Sequence, residues 1–127
     1  MKIGIISDIH SNIYAFKACT EYMEKHKCDE YFFLGDYISD TPYTRETMDY
    51  LYEFMEKLPD ALKSGGRVAI LTFHSGEDKL VKKALKAGYK AGIYSDYAKD
   101  VIRPSMQECA QNGRARSTKM RWAVKAE

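Results

Sequence analysis

Three residues capable of binding a metal ion follow the ends of two short apolar segments. Asp8 and His10 come directly after the segment Lys2–Ser7, and Asp36 follows the segment Tyr31–Leu34. Ligands of an open parallel sheet collect beyond the carboxyl ends of its strands, so we expect these side chains to converge. Carboxylate oxygens combined with an imidazole nitrogen suit manganese, iron or zinc better than calcium or magnesium. The spacing therefore predicts a site for one divalent metal. In the alternative interpretation, Asp8 caps the next helix and Asp36 lies in a Gly-Asp turn.

A fourth candidate metal ligand, His74, follows a third apolar segment, Arg67–Phe73. It would lie at the same edge of the sheet as the other three candidates. We favour a different role for it, as a histidine that caps the next helix through Ser75 or is hydrogen bonded at that edge, because nothing in the pattern requires a metal there.

The elements that would position these residues alternate between strands and helices. Continuous apolar runs such as Lys2–Ser7 are typical of strands in a parallel sheet. Apolar residues at three- and four-residue spacing predict helices beginning near Asn12, near Pro42 and at Ser75, with a break at Pro59. The order of elements indicates an α/β three-layer sandwich with a mostly parallel sheet of about five strands.

Shorter elements are predicted toward the C-terminus. Residues 88–99 are expected to form a connection, Val101-Ile102 a short strand, and Ser105–Glu108 the start of a helix with capping-box spacing. The last segment alternates between an apolar and a basic set of residues: Met120, Trp122 and Val124, and Lys119, Arg121 and Lys125. This alternation predicts a half-exposed last strand that is antiparallel or at an edge of the sheet.

Length, charge and cysteine content limit the classes of protein. The 127 residues are enough for one compact domain. Residues 1–62 contain 6 Lys and Arg against 12 Asp and Glu, whereas residues 63–127 contain 14 against 6. The contrast fits two solvated faces of one fold or two segments of different origin. No apolar run approaches the roughly 18 residues of a membrane span. The 3 cysteines lack CxxC spacing, which favours a reducing cytoplasm.

The N-terminal segments Ile5–Asn12 and Phe33–Ser39 resemble the opening of the calcineurin-like metallophosphoesterases. This resemblance implies a dinuclear site that activates water for attack on a phosphate ester, with Asp8 and His10 on the first metal and Asp36 bridging to the second. The later Gly-Asn-His block of that family has no counterpart in this sequence. We therefore expect one ion at most.

The C-terminal part resembles a different family, the bacterial 16S rRNA cytosine-N4 methyltransferases. The residues that carry the resemblance are Leu58–Asp78, Ile102–Ser105 and Asn112–Arg121. It implies S-adenosylmethionine chemistry on ribosomal RNA. The Gly-rich loop of such a domain is missing, and Gly65-Gly66 precedes a strand instead of following one. We therefore expect no bound S-adenosylmethionine.

Four cations of the C-terminal segment could still contact RNA phosphates: Arg114, Arg116, Lys119 and Arg121. We favour an ordinary solvated strand edge for these residues, because charge runs usually face water.

These observations favour one α/β domain, residues 1–127, with a segment junction near residues 45–65. Residues 1–50 would be metallophosphoesterase-like and residues 54–127 methyltransferase-like. The leading hypothesis is a chimeric folding unit without a complete active site that could bind one divalent metal. One alternative is a reduced metal-dependent phosphodiesterase, the reaction we expect if the chain is an enzyme. The second alternative is an RNA-binding remnant of an rRNA methyltransferase. Since truncated parents leave sheet surface uncovered, we also expect self-association through an open edge or face.

Overall fold

A computed structural model describes residues 1–7, 13–34 and 44–127. The strands are β1 (Ile3–Ile6), β2 (Cys28–Phe33), β3 (Leu62–Thr72), β4 (Tyr94–Tyr97) and β5 (Lys119–Lys125). The α-helices are α1 (Ile13–Lys25), α2 (Thr44–Ala61), α3 (Ser75–Lys90) and α4 (Met106–Gln111), and a 3-10 helix covers Gly113–Ser117. None of the described helices is long and apolar enough to cross a membrane.

The described strands form one mixed sheet in the order β1-β2-β3-β5-β4. Strand β2 is parallel to both β1 and β3, and β5 is antiparallel to both β3 and β4. The predicted α/β class, the number of strands and the antiparallel last strand are confirmed. Strand β5 lies inside the sheet, however, where its two neighbours satisfy its backbone groups.

The three long helices pack on one face of this sheet. Helix α2 contacts α1 on one side and α3 on the other, and all three share one core with the strands. Successive parallel strands β1, β2, β3 and β4 are added in one direction, and right-handed crossovers then place every connecting helix on the same face. The second helical layer of the expected sandwich is therefore missing from the part of the chain that the structure describes. The core residues contributed by the sheet are Ile6, Cys28, Tyr31, Phe33, Leu62, Val68, Ile70, Tyr94 and Ala123.

The opposite face of the sheet exposes apolar side chains. Ile5 is 62% exposed and Phe32 is 36% exposed. Ile5 pairs with Phe32, Phe32 with Ala69, and Ala69 with Trp122, so these side chains form a row across four strands. A groove crosses the surface between Phe32 and Trp122. We call this surface, with its row Ile5, Phe32, Ala69 and Trp122, the open face.

Two of the three basic residues of β5, Arg121 and Lys125, point into the protein. Arg121 is only 6% exposed, and the Nζ of Lys125 donates to the carbonyl oxygens of Pro59 and Leu62, the latter at 2.9 Å. The alternating apolar residues of β5 lie on the open face: Met120, Trp122 and Val124. A strand edge with solvated cations was expected here, and that expectation is wrong for Arg121 and Lys125. Because no basic residue lies in the last turn of α2, Lys125 supplies the cation that its terminal carbonyl groups favour.

Two further elements differ from the sequence predictions. Helix α2 continues through Pro59, where a break was expected. The segment predicted as a connection contains β4, whereas the strand expected at Val101-Ile102 is a single bridge between Ile102 and Met120. Strand β4 is anchored by Tyr94, whose ring lies against Gly88 so closely that a Cβ there would be 2.5 Å from two ring carbons. Burial raises the pKa of the Tyr94 hydroxyl.

Candidate nucleic-acid interface

The predicted metal ligands can be followed only in part. Asp8, His10 and Asp36 lie outside the described residues, and His74 is exposed at the surface. His74 occupies the N-cap position of α3, with φ −117° and ψ 141°, and its side chain makes no capping hydrogen bond. Helix α3 begins at Ser75, as the sequence predicted. Among the residues that the structure describes, no group of three or more His, Cys, Asp or Glu could hold a metal ion.

One of the four predicted RNA-contacting cations, Arg121 of β5, is paired with Asp78 in the first turn of α3. Arg121 donates from Nε to Asp78 Oδ1 at 2.7 Å and from Nη2 to Asp78 Oδ2 at 3.2 Å. The side chains are 7% and 14% exposed, respectively. Bidentate pairing fixes both planar groups, and the carboxylate also lies at the favourable end of the helix dipole. Arg121 therefore joins β5 to α3 and does not present its charge to a ligand.

The other predicted cations remain accessible. Arg114 and Arg116 are exposed on the 3-10 helix, and Lys119 is half-buried at the start of β5. The Asn112 side chain accepts a hydrogen bond from the Arg114 backbone N–H at 3.1 Å, and buried Ala115 anchors the turn between the two arginines. Among the described residues, none of the three cations forms a salt bridge.

A fourth accessible cation, Arg103, was not singled out from the sequence. The antiparallel bridge between Ile102 and Met120 has hydrogen bonds of 3.0 and 2.9 Å. This register puts Arg103 opposite Lys119. Only the Ile102–Met120 pairing reveals that Arg103 and Lys119 are neighbours in the fold, because a 16-residue separation carries no periodic signal. We call Arg103, Arg114, Arg116 and Lys119 the cationic edge.

The mixed sheet with its helices and the exposed cationic edge define an α/β protein with a surface suited to polyanions. Residues 44–126 match the MraW methylase family, and the chain belongs to that family. Residues 1–73 also match the calcineurin-like phosphoesterase family, so the two matches overlap between residues 44 and 73.

Several curated proteins named ribosomal RNA small subunit methyltransferase H are similar to the chain. The protein numbered H 1 from Agathobacter rectalis is 90% identical over 79 residues, which is 62% of this chain and 23% of that protein. The protein numbered H 2 from Alkaliphilus metalliredigens is 58% identical over 81 residues, covering 64% of this chain and 23% of that protein. The Fervidobacterium nodosum protein is 35% identical over 107 residues, which cover 84% of this chain and 35% of that protein. The chain thus spans about a quarter of the length of the first of these relatives.

A solved structure, described as an rRNA methylase from Streptococcus thermophilus, aligns with 97% of this chain and 73% of its own. Its TM-score is 0.46 and its sequence identity is 14%.

The family membership corrects the expectation about cofactors. We expected that one divalent metal could bind and that S-adenosylmethionine would not; this expectation is wrong, because the family is one of methylases and the relatives are named methyltransferases. The cofactor implied by the family is a methyl donor, and the described residues contain no metal-binding group. An open α/β sheet binds its ligand where the strand order reverses. The parallel strands β1 to β4 are all added in one direction, so no such reversal occurs among the parallel strands that the structure describes.

Proposed function

We propose that the chain is an RNA-binding piece of a methyltransferase of the ribosomal RNA type. The observation that carries the proposal is the separation of the C-terminal cations into two groups. Arg121 and Lys125 are bound inside the fold, whereas Arg114 and Arg116 are exposed on a turn that Asn112 and Ala115 hold in place. Guanidinium groups match the geometry of phosphate oxygens, and a fixed turn reduces the entropy lost on binding.

The methyltransferase-like segment supports RNA as the partner. The relatives are named for ribosomal RNA, and the 90% identity to one of them covers 79 residues. The accessible cations come from two neighbouring elements, Arg103 beside the bridge and Lys119 in β5. Arg114 and Arg116 lie on the 3-10 helix that directly precedes β5, so all four cations belong to adjoining or paired segments and could contact a nucleic-acid backbone.

We further propose that the chain is one domain of two origins, with the junction near residues 45–65. That range falls within α2 and the start of β3, where the two family matches overlap. The N-terminal strand β2 pairs with β3 in parallel, with Tyr31 opposite Val68 and Phe33 opposite Ile70. Tyr31 and Phe33 belong to the same core cluster as Val68 and Ile70, so residues on both sides of the junction share one core.

Two properties expected from the sequence remain part of the proposal. A second copy of the chain would cover the open face, which carries Ile5 and Phe32 in contact with water. Cys19, Cys28 and Cys109 are free thiols, as a reducing cytoplasm would keep them.

The test is RNA binding as a function of salt. The probe is a fluorescein-labelled hairpin of small-subunit ribosomal RNA, and binding is measured by anisotropy over a range of KCl concentrations. The variant Arg114→Gln/Arg116→Gln should bind more weakly and show a log Kobs–log[KCl] slope shallower by about 1.4, at about 0.7 per single-strand phosphate contact.

The matched control is Lys57→Gln/Lys63→Gln, which removes two positive charges that are already paired with Glu53 and Asp29. It should retain the wild-type slope. Wild-type protein that does not bind the hairpin at low salt, or equal slopes for the two variants, would contradict the proposal.

A further inference from the structure

Helix α3 carries a row of lysines on the side opposite its core. The lysines are all exposed: Lys79, Lys82, Lys83, Lys86 and Lys90. The buried residues of the same helix are Glu77, Val81, Leu85 and Gly88. Because a helix turns about 100° per residue, the two sets are centred on opposite sides of α3, and the row extends about 16 Å along the axis. We call these five lysines the lysine stripe.

The charge of the lysine stripe is not balanced from within its own helix. The acidic residues of α3 are Glu77 and Asp78; the first is fully buried, and the second is paired with Arg121. Among the described residues, no stripe lysine lies within salt-bridge distance of a carboxylate. Glu56 of α2 lines the same groove as Lys83, in the middle of the stripe. Lysines three and four positions apart repel one another, so the stripe gains from a ligand that carries closely spaced negative charges.

We propose that the lysine stripe binds the phosphate backbone of a double-helical RNA segment, as a second contact surface beside the cationic edge. This inference rests on the proposed RNA-binding function. Ammonium groups contact phosphates as point charges without a required geometry, which suits recognition of a backbone independently of sequence. A straight row on a rigid helix fits an extended rod of charge better than it fits a compact anion.

The environment of α3 favours RNA over an anionic membrane. Helices that lie on membranes insert an exposed apolar face beside their basic residues. The apolar face of α3 is occupied: Val81 is 1% exposed and Leu85 is fully buried against the sheet. A membrane would therefore be attracted by charge alone and would gain no buried apolar area.

The experiment compares three charge variants of the full chain on a labelled RNA duplex. The stripe variant is Lys79→Gln/Lys82→Gln/Lys86→Gln/Lys90→Gln, which leaves Lys83 and its neighbour Glu56 in place. At about 0.7 to 0.9 per phosphate contact, its log Kobs–log[KCl] slope should be shallower than that of the wild type by about 3. The arginine variant Lys82→Arg/Lys86→Arg, which retains the charge, should bind as the wild type does.

A matched control removes the same charge elsewhere. The variant Lys25→Gln/Lys27→Gln/Lys57→Gln/Lys63→Gln also loses four positive charges from exposed sites outside α3. Its slope should stay within about 1 of the wild type, and circular dichroism melts should show that both variants fold.

The outcomes separate this inference from the proposed function. No duplex or hairpin binding by wild-type protein would overturn both. Loss of binding in Arg114→Gln/Arg116→Gln with an unchanged stripe variant would overturn the stripe alone. Equal losses in the stripe and control variants would show an effect of net charge only and would also overturn it. Binding to vesicles of phosphatidylcholine and phosphatidylserine that depends on the stripe, without such dependence for RNA, would assign the stripe to membranes and overturn it.

Discussion

Replacing Arg121 by methionine should destabilise the fold more than any change at the cationic edge. The substitution leaves Asp78, which is 14% exposed, as a carboxylate without its bidentate partner. Removing one member of a buried ion pair costs about 3–5 kcal/mol, and the partial exposure of Asp78 favours the lower end, about 3 kcal/mol. For a domain of this size that loss lowers the melting temperature by roughly 10 °C.

The assay is urea unfolding followed by the fluorescence of Trp122, which lies beside Arg121 in β5. The double variant Arg121→Met/Asp78→Asn removes both charges and should recover at least 1 kcal/mol, about the cost of the isolated carboxylate that it eliminates. The control Arg116→Gln changes an exposed residue and should shift the free energy of unfolding by less than about 0.5 kcal/mol. If Arg121→Met and Arg116→Gln cost the same, the pair with Asp78 contributes nothing and the reasoning fails.

Two further predictions concern acid stability and self-association. The backbone N–H of Lys2 donates to Asp29 at 2.7 Å, and this bond, aided by Lys63, lowers the pKa of the Asp29 carboxyl below its ordinary value of 3.8. Because the pKa of Asp29 is lower in the folded than in the unfolded state, the ionised carboxylate stabilises the fold above the unfolded-state pKa, and this stabilisation is lost as the pH falls through the folded-state pKa. Urea titrations should therefore show less acid destabilisation below pH 3.8 for Asp29→Asn than for wild type, and equal curves would refute the effect. Phe32→Glu places a charge on the open face and should reduce the apparent mass in light scattering, whereas Tyr14→Glu, at an 83% exposed site on α1, should not; a monomeric wild type at high concentration would exclude self-association through this face.

The regular part of the fold could be predicted because its signals are local. Of the apolar residues whose helical spacing predicted α1, Phe16 and Met23 are buried, whereas Cys19 and Tyr22 are exposed. Ser105 accepts from the Glu108 backbone N–H at 3.1 Å, as the capping-box spacing predicted. Strand β4 was missed because Ser95 and Asp96 interrupt its apolar pattern; its pairing with β5 and the packing of Tyr94 on Gly88 override propensity.

The orientation of β5 could not be predicted for a different reason. A period of two separates two faces but does not tell which one is buried. Arg121 and Lys125 are stable inside only because Asp78 and the end of α2 supply acceptors that are distant in sequence. The placement of all three long helices on one face depends on strand order, which local periodicity does not encode. Of the candidate site residues, His74, Arg114, Arg116, Lys119 and Arg121 lie in the described part of the chain, and Arg103 joined them through a tertiary pairing alone.

The position of β5 also affects when the sheet can be completed during synthesis. It is the last strand along the chain, yet it separates β3 from β4. While Lys119–Lys125 is still within the ribosome, the inner edge of β3 has no partner among the described strands, and β4 has none at all. A nascent chain must therefore keep the edges of β3 and β4 from pairing with other molecules until Lys119–Lys125 emerges, and a premature stop codon before Lys119 would leave these edges permanently unpaired.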